Sequence, residues 1–165
     1  MATDNRAPII SPATPADIPA VLDFIRKLAE FEHLSYEMKA TEADLHRHLF
    51  GPSPAAEVVM AKLDANPVGF ALYFTTFSTF VGRPGIWLED LFVLNEFRHR
   101  GIGRALLRHI AAVAVERNCG RLEWSVLDWN EPAIQLYRKL GAVAMSDWTT
   151  QRVTGDALLR LATES

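Results

Sequence analysis

Residues 98–104 combine three arginines with two glycines in a seven-residue segment. The hydrophobic pattern predicts a buried strand before this segment, over Ile86–Leu94, and a helix directly after it. Glycines allow backbone N–H groups to turn towards a ligand, and a helix start adds unpaired donors and a partial positive charge. The segment therefore predicts an anion site suited to a pyrophosphate. The alternative is a glycine-containing turn with solvated arginines, because the spacing matches neither a P-loop nor the dinucleotide-binding motif.

Two carboxylates, Glu89 and Asp90, lie inside the otherwise apolar strand that precedes this segment. A lone carboxylate is costly to bury, so a binding or catalytic role would explain its position. Neighbouring residues of a strand point to opposite faces, which predicts that at most one of the two faces a given site. The alternative is a carboxylate paired with a nearby arginine or with backbone donors.

Two further features carry groups suited to proton transfer or to cation binding. Tyr137 has a hydroxyl that stays protonated at neutral pH and can share its proton, although its place in the helical period alone predicts a core residue. Glu30, Glu32 and Glu37 cluster near the end of a predicted helix, where carboxylates oppose the helix dipole. A cationic ligand would account for them, and a solvated helix end is the alternative.

The pattern along the chain predicts one α/β domain over residues 8–162, with a mixed sheet flanked by helices. A first helix is predicted to begin at Thr14 as N-cap, with Pro15 in its first turn. Further helices are predicted near 41–50, near 102–114 with a stop at Gly120, up to Leu140 with Asn130 or Asp128 as N-cap and a stop at Gly141, and near 156–161. Strands are predicted near 8–10, 57–63, 68–77, 86–94 and 122–126, followed by two late strands near 142–145 and 149–153.

The composition excludes some classes of protein and indicates the cellular compartment. The 165 residues suffice for one domain with a buried core, and a net charge of −3 argues against a general nucleic-acid binder. The single cysteine, Cys119, excludes an internal disulfide framework and suits a reducing compartment. The sequence has neither a signal-peptide pattern nor a membrane-spanning run, and its histidines lack metal-ligand spacing. We therefore expect a cytoplasmic protein with no metal and no nucleic-acid or membrane partner.

Several segments together resemble the diamine acetyltransferase branch of the GNAT superfamily of acetyl-CoA-dependent N-acetyltransferases. The Arg-x-x-Gly-x-Gly spacing of residues 98–103, between a strand and a helix, is typical of the superfamily. The likeness to the branch is carried by residues 126–142 (VLDWNEPAIQLYRKLGA), 87–93 (WLEDLFV), 28–32 (LAEFE) and 70–74 (FALYF). It extends from about Ile10 to Leu161, and the branch includes the spermidine/spermine and thialysine acetyltransferases.

The resemblance implies a fold, a donor and a set of site residues. The implied GNAT fold has a mixed, mostly antiparallel sheet whose fourth and fifth strands splay apart to hold acetyl-CoA. Glu89 is implied to orient or deprotonate an amine, directly or through water, and Tyr137 to protonate the departing CoA sulfur. The implied donor-binding residues are Leu91, Phe92, Val93, Arg98, His99, Arg100, Gly101, Ile102, Gly103, Arg104 and Asn130. The implied acceptor-binding residues are Phe31, Glu32, Phe80, Glu89 and Asp90.

The acceptor is expected to be a small cationic primary amine that attacks the thioester directly. Polyamine enzymes carry an acidic residue and a tryptophan where this chain has Ser78 and Phe80. The resemblance therefore favours thialysine or another lysine-like amino acid, with polyamines second, and it also implies a homodimer. Two other classes stay open, namely a catalytically idle CoA-binding module that regulates a partner and a protein N-terminal acetyltransferase.

Overall fold

Within residues 7–163, five strands form one sheet and lie side by side in chain order. They are β1 (Ile9–Pro12), β2 (Glu57–Leu63), β3 (Asn66–Ser78), β4 (Arg83–Val93) and β5 (Leu122–Trp124). Neighbours pair antiparallel from β1 to β4, and β5 pairs parallel with β4. The prediction of a mixed, mostly antiparallel sheet is thus confirmed, and each early strand lies within a few residues of its predicted position.

This computed structural model describes residues 7–163. The chain divides into two compact units, the first ending at Leu127 and the second beginning at Asp128. The first unit holds the sheet with helices α1 (Ile18–Phe31), α2 (Glu42–Phe50) and α3 (Ile102–Glu116). Between residues 7 and 163 no helix combines the length and the apolar character needed to cross a membrane. The prediction that residues 8–162 form a single domain stays a prediction.

Helices cover both faces of the sheet, as alternation along its strands requires. On one face, α1 and α2 pack on a core that includes Phe24, Met60, Phe70 and Phe92. Leu91 and Val93, which alternate with Phe92 along β4, lie against the first turn of α3 instead. We refer to these two sides as the α1 face and the α3 face.

A capping box formed by Thr14 and Asp17 precedes α1, and the Asp17 carboxylate also contacts the sheet. A single 3-10 turn at Pro15–Asp17 precedes α1, and the Asp17 carboxylate accepts hydrogen bonds from the Thr14 N–H and hydroxyl. Lys62 on β2 donates to the same carboxylate at 2.6 Å. Burial would raise the pKa of Asp17, but these hydrogen bonds together hold it below its ordinary value. The predicted cap at Thr14 is confirmed.

The C-terminal end of α3 differs from its prediction. Asn118, rather than Gly120, adopts the left-handed conformation that ends the helix, with φ of 54°. The Cys119 N–H reaches the Ala114 carbonyl and the Asn118 N–H reaches the Val115 carbonyl, which is the Schellman pattern. Asparagine tolerates this conformation better than most residues with a side chain, so the helix stops two residues earlier than a glycine-based prediction places it.

The second unit contains helices α4 (Glu131–Lys139) and α5 (Gly155–Thr163). The helix stop at Gly141 is confirmed, because this glycine has φ of 91° and the Ala142 N–H bonds the Tyr137 carbonyl. The two late strands are wrong, since residues 142–154 form no regular strand. Apolar residues are present there, as in residues 142–145, but a strand also needs a hydrogen-bonded partner, and strand pairing among the described residues ends at β5.

Candidate active site

The carboxyl half of β4 has one open edge. Strand β5 pairs only with Ile86–Leu88 and ends at Trp124, while β4 continues to Val93. Main-chain groups of residues 89–93 that point away from β3 therefore have no strand partner among residues 7–163. The predicted splay between the fourth and fifth strands is confirmed, and Leu91, Phe92 and Val93 lie in the stretch that it opens.

A β-bulge at Glu89 changes which face the next carboxylate occupies. Leu72 pairs with Asp90 whereas Tyr73 pairs with Leu88, which leaves Glu89 as the extra residue of β4. Asp90 consequently lies opposite Leu72 and on the same side as Phe92, which is the α1 face. Alternation counted forward from Leu88 would place Asp90 on the α3 face, and the bulge moves it to the α1 face. Glu89 bonds Trp87, which lies opposite Phe74 on the same side, so the expectation that at most one of the two carboxylates faces a given site is wrong.

Asp90, Glu89 and Glu32 form an acidic cluster on the α1 face. Burial is the main cause that raises the pKa of Asp90 to about 7, and repulsion from the Glu89 and Glu32 carboxylates adds to it. Burial also raises the pKa of Glu32, which directly follows the last residue of α1. Glu89 is exposed and accepts a hydrogen bond from the Trp87 indole N–H at 2.8 Å. The cluster therefore favours a cation, and Asp90 is the carboxyl that exchanges its proton near neutral pH.

The loop that follows β4 presents the backbone geometry expected of an anion site. His99 and Gly101 both have left-handed conformations, with φ of 62° and 78°, and Gly101 is the N-cap of α3. Alternation of left-handed and ordinary residues turns successive N–H groups to one side, in front of the positive end of the helix. The first turn of α3 carries Arg104 and no acidic residue, so a bound anion would stabilise it more than its own sequence does.

The three arginines of this loop differ in what they contact. Arg98 turns back towards the α1 face, where its Nε donates to the Val93 carbonyl at 3.1 Å. Arg100 is exposed and lies over the Phe97 ring, with 5.1 Å between the guanidinium carbon and the ring centroid. Arg104 is also exposed. Donor binding by all three arginines stays a prediction, and Arg98 is the one whose guanidinium donates to a main-chain carbonyl.

Phe80 lies apart from the loop and the acidic cluster. It is 97% exposed in the turn that precedes β4, whereas the loop follows the other end of that strand. Ser78, in the same turn, is buried and its hydroxyl accepts the Val81 N–H at 3.2 Å. The serine hydroxyl thus holds the turn together, and acceptor binding by Phe80 stays a prediction.

Asn130 and Tyr137 belong to the second unit. Asn130 directly precedes α4, and its carbonyl accepts the first helical hydrogen bond, from the Ile134 N–H. Tyr137 lies in the last turn of the same helix, and it is partly buried. The helix thus begins and ends as predicted, and the roles of both side chains in binding and catalysis stay predictions.

Known proteins provide an independent assignment of the chain. Residues 20–142 match the model of the acetyltransferase (GNAT) family. The chain is 35% identical to the thialysine N-epsilon-acetyltransferase of Mus musculus over 93% of its own length and 96% of the relative's. It is 30% identical to an L-ornithine N5-acetyltransferase of Arabidopsis thaliana, with coverage of 88% and 84%. Among solved structures, an integron cassette protein from V. cholerae superimposes with a TM-score of 0.79 at 26% identity, covering 96% of this chain and 99% of that one.

The chain therefore belongs to the GNAT acetyltransferase family, and it is an acetyl-CoA-dependent N-acetyltransferase. In the first unit the fold brings together Glu32, Glu89 and Asp90 on one side of β4, and it places the loop with the left-handed residues His99 and Gly101 at the end of the same strand. Sequence reasoning missed Trp87 as the partner of Glu89. The two-residue spacing along the strand was the signal, because it puts the indole and the carboxylate on one face.

Replacing Gly101 by Ala is expected to weaken acetyl-CoA binding about tenfold, because the free variant loop relaxes out of the left-handed conformation and must regain it on binding, at a cost of about 1–2 kcal/mol for an L-residue. The added Cβ itself would meet nothing within 4 Å, so backbone conformation is the only change. Gly103→Ala is the matched control, since its Cβ would make ordinary contacts at 3.7 Å to Leu91 and 3.8 Å to Val93. Calorimetric titration with acetyl-CoA checks both variants, and wild-type affinity in Gly101→Ala would contradict the role of the loop backbone.

Proposed function

We propose that this protein transfers the acetyl group of acetyl-CoA to a small cationic primary amine. A lysine-like amino acid such as thialysine is the favoured acceptor, and polyamines come second. The acidic cluster of Glu32, Glu89 and Asp90 beside the open edge of β4 carries the proposal. An alkylammonium ion has a pKa of roughly 10, so it arrives charged, and a carboxylate cluster both attracts it and can accept its proton.

The chemistry requires one proton acceptor and one proton donor. The amine nitrogen attacks the thioester carbon while its proton passes to a carboxylate, and the carbon–sulfur bond then breaks. Asp90 is suited to accept the proton because its pKa of about 7 matches the working pH. Glu89 is exposed and hydrogen-bonded to Trp87. Tyr137 is proposed to supply the proton that the departing CoA thiolate takes up. No covalent enzyme intermediate is needed.

A compact acceptor fits the first unit better than an extended polycation. The turn before β4 carries Ser78 where the polyamine enzymes carry an acid, and the hydroxyl of this serine is engaged by the Val81 N–H. A second ammonium group would therefore find no carboxylate at this position. The relatives named for thialysine and ornithine act on amino acids that end in a primary amine, which supports the same substrate class.

A thiol-release assay with acetyl-CoA and a panel of amines tests the proposal. The panel contains thialysine, lysine, ornithine, spermidine and diaminopropane, and mass spectrometry identifies the acetylated product. We expect kcat/KM for the best lysine-like amino acid to exceed that for spermidine by at least about tenfold, the effect of about one lost charge contact. Release with a peptide N-terminus alone would favour a protein N-terminal acetyltransferase. CoA binding without release by any amine would favour the idle regulatory module.

Two further properties complete the proposal. We infer a homodimer, which is supported by three apolar side chains exposed at the end of the β3–β4 hairpin, Phe77, Phe80 and Val81. Light scattering at micromolar concentration measures the state directly. A cytoplasmic location is supported by the single cysteine, which is free.

A further inference from the structure

Arg98 makes contacts that a phosphate ligand would not need. Its guanidinium lies over the Phe31 ring at 4.7 Å and over the Phe92 ring at 5.5 Å, and its Nε donates to the Val93 carbonyl. The side chain is partly buried, and burial lowers the pKa of the guanidinium from its ordinary value. A flat, delocalised cation can stack on aromatic rings and donate in its own plane at the same time, which lysine cannot do.

These contacts join two parts of the first unit that serve different substrates. Arg98 belongs by its backbone to the loop that offers N–H groups to an anion. Phe31, which its side chain covers, is the last residue of α1 and directly precedes Glu32. Glu32 in turn lies close enough to Asp90 for its charge to help raise the pKa of that carboxyl. The Arg98 side chain therefore links the loop of residues 98–103, proposed to bind acetyl-CoA and called the donor loop from here on, to the end of α1 that bears Glu32.

We propose that Arg98 is a positioning residue that couples donor binding to the acceptor site, by fixing the Phe31–Glu32 end of α1 to the donor loop. The inference rests on the proposed function for the identity of the two substrates. A bound pyrophosphate orders the loop, the ordered loop holds the guanidinium against Phe31, and the helix end then presents Glu32 beside Asp90. Binding of acetyl-CoA at the loop can thus increase the affinity for the amine beside Glu32 through Arg98.

Hydrogen exchange with CoA as the only ligand tests the coupling without any amine. Arg98→Met and Arg100→Met are matched variants, because each removes one positive charge from the same loop and keeps an unbranched side chain. At saturating CoA we expect backbone amides of residues 28–38 to exchange at least about fivefold more slowly in the wild type and in Arg100→Met. In Arg98→Met we expect protection of the loop alone. Unchanged exchange of residues 28–38 in the wild type would overturn the proposal.

Steady-state kinetics provide a second readout. Arg98→Met is expected to raise KM for the amine at saturating acetyl-CoA about tenfold, while kcat and the dissociation constant of CoA measured without amine change less than about threefold. If the variant instead loses CoA affinity as Arg100→Met does and keeps the protection of residues 28–38, Arg98 is a phosphate ligand and the coupling is wrong. Arg98→Lys is the second variant should the methionine variant fold poorly, with the same loss of coupling expected. Failure of every amine would overturn the proposed function, while the exchange experiment would still decide the role of Arg98.

Discussion

Asp90→Asn is expected to lower kcat by about 10²–10³-fold, the usual contribution of a positioned base. Burial and two neighbouring carboxylates raise the pKa of Asp90 to about 7, so the wild-type rate should increase with pH through this value as the carboxylate forms. Asparagine has nearly the same shape but cannot accept the proton. The pH dependence of kcat/KM between about 5.5 and 9 checks this, because the rise near 7 should disappear in the variant.

The same substitution is expected to stabilise the fold at alkaline pH. The folded state disfavours the charged form of Asp90, so no stability is lost below the ordinary aspartate pKa of 3.8. The free energy of unfolding decreases as pH rises above 3.8, and the decrease is complete above about 7. Asparagine avoids it, and urea unfolding should show a gain of about 1–3 kcal/mol at pH 8 that is absent at pH 4.

Glu89→Gln is the matched control for both measurements. Glu89 is adjacent and equally charged, but it is exposed, and glutamine can still accept a hydrogen bond from the Trp87 indole. We expect a decrease in kcat of less than about tenfold and a pH-dependent gain in stability smaller than that of Asp90→Asn, because the variant removes the repulsion between the two carboxylates but not the burial of Asp90. The opposite pattern, with Glu89→Gln inactive and Asp90→Asn active, would return the base to Glu89, the assignment implied by the family resemblance.

Local periodicity was sufficient to predict most of the fold. The apolar spacing in α1 and α3, and the continuous apolar runs in β2 and β3, reflect which side chains must face a core, so they are visible in the sequence. The segment 142–154 shows where this reasoning stops, because it contains apolar residues but strand pairing depends on a partner that the local pattern does not encode. The helix stop at Asn118 was missed because a glycine two residues later was the stronger local signal.

The site was predictable in its residue types but not in the directions of its side chains. The glycine spacing indicated an anion site because backbone conformation at Gly101 is a local property. The bulge at Glu89 arises from the register between β3 and β4, which a single strand does not reveal, and it decides that Asp90 faces Glu32. Arg98 has several rotatable bonds, so only the positions of Phe31 and Phe92 in the folded chain determine that it turns away from the loop.

Tyr137→Phe is expected to lower kcat by about 10²–10³-fold while the dissociation constant of acetyl-CoA changes less than about threefold. The phenol is proposed to protonate the leaving thiolate, and phenylalanine keeps the ring, its bulk and its packing in α4. Only the hydroxyl and its proton are lost. Stopped-flow thiol detection gives the rate, and calorimetry with CoA gives the affinity.

Tyr73→Phe is the matched control for the loss of a phenol hydroxyl. The Tyr73 hydroxyl donates to Glu57 at 3.3 Å, and Arg117 binds the same carboxylate through two further hydrogen bonds at 2.6 and 2.7 Å. Because Arg117 still holds Glu57, this variant should lose no more than about 1 kcal/mol of stability and keep wild-type turnover. If Tyr137 is the general acid, Tyr137→Phe and Tyr73→Phe should differ in turnover rate rather than in stability. If Tyr137→Phe instead behaves like Tyr73→Phe, the thiolate leaves without help from this phenol, and water or the acidic cluster must supply the proton.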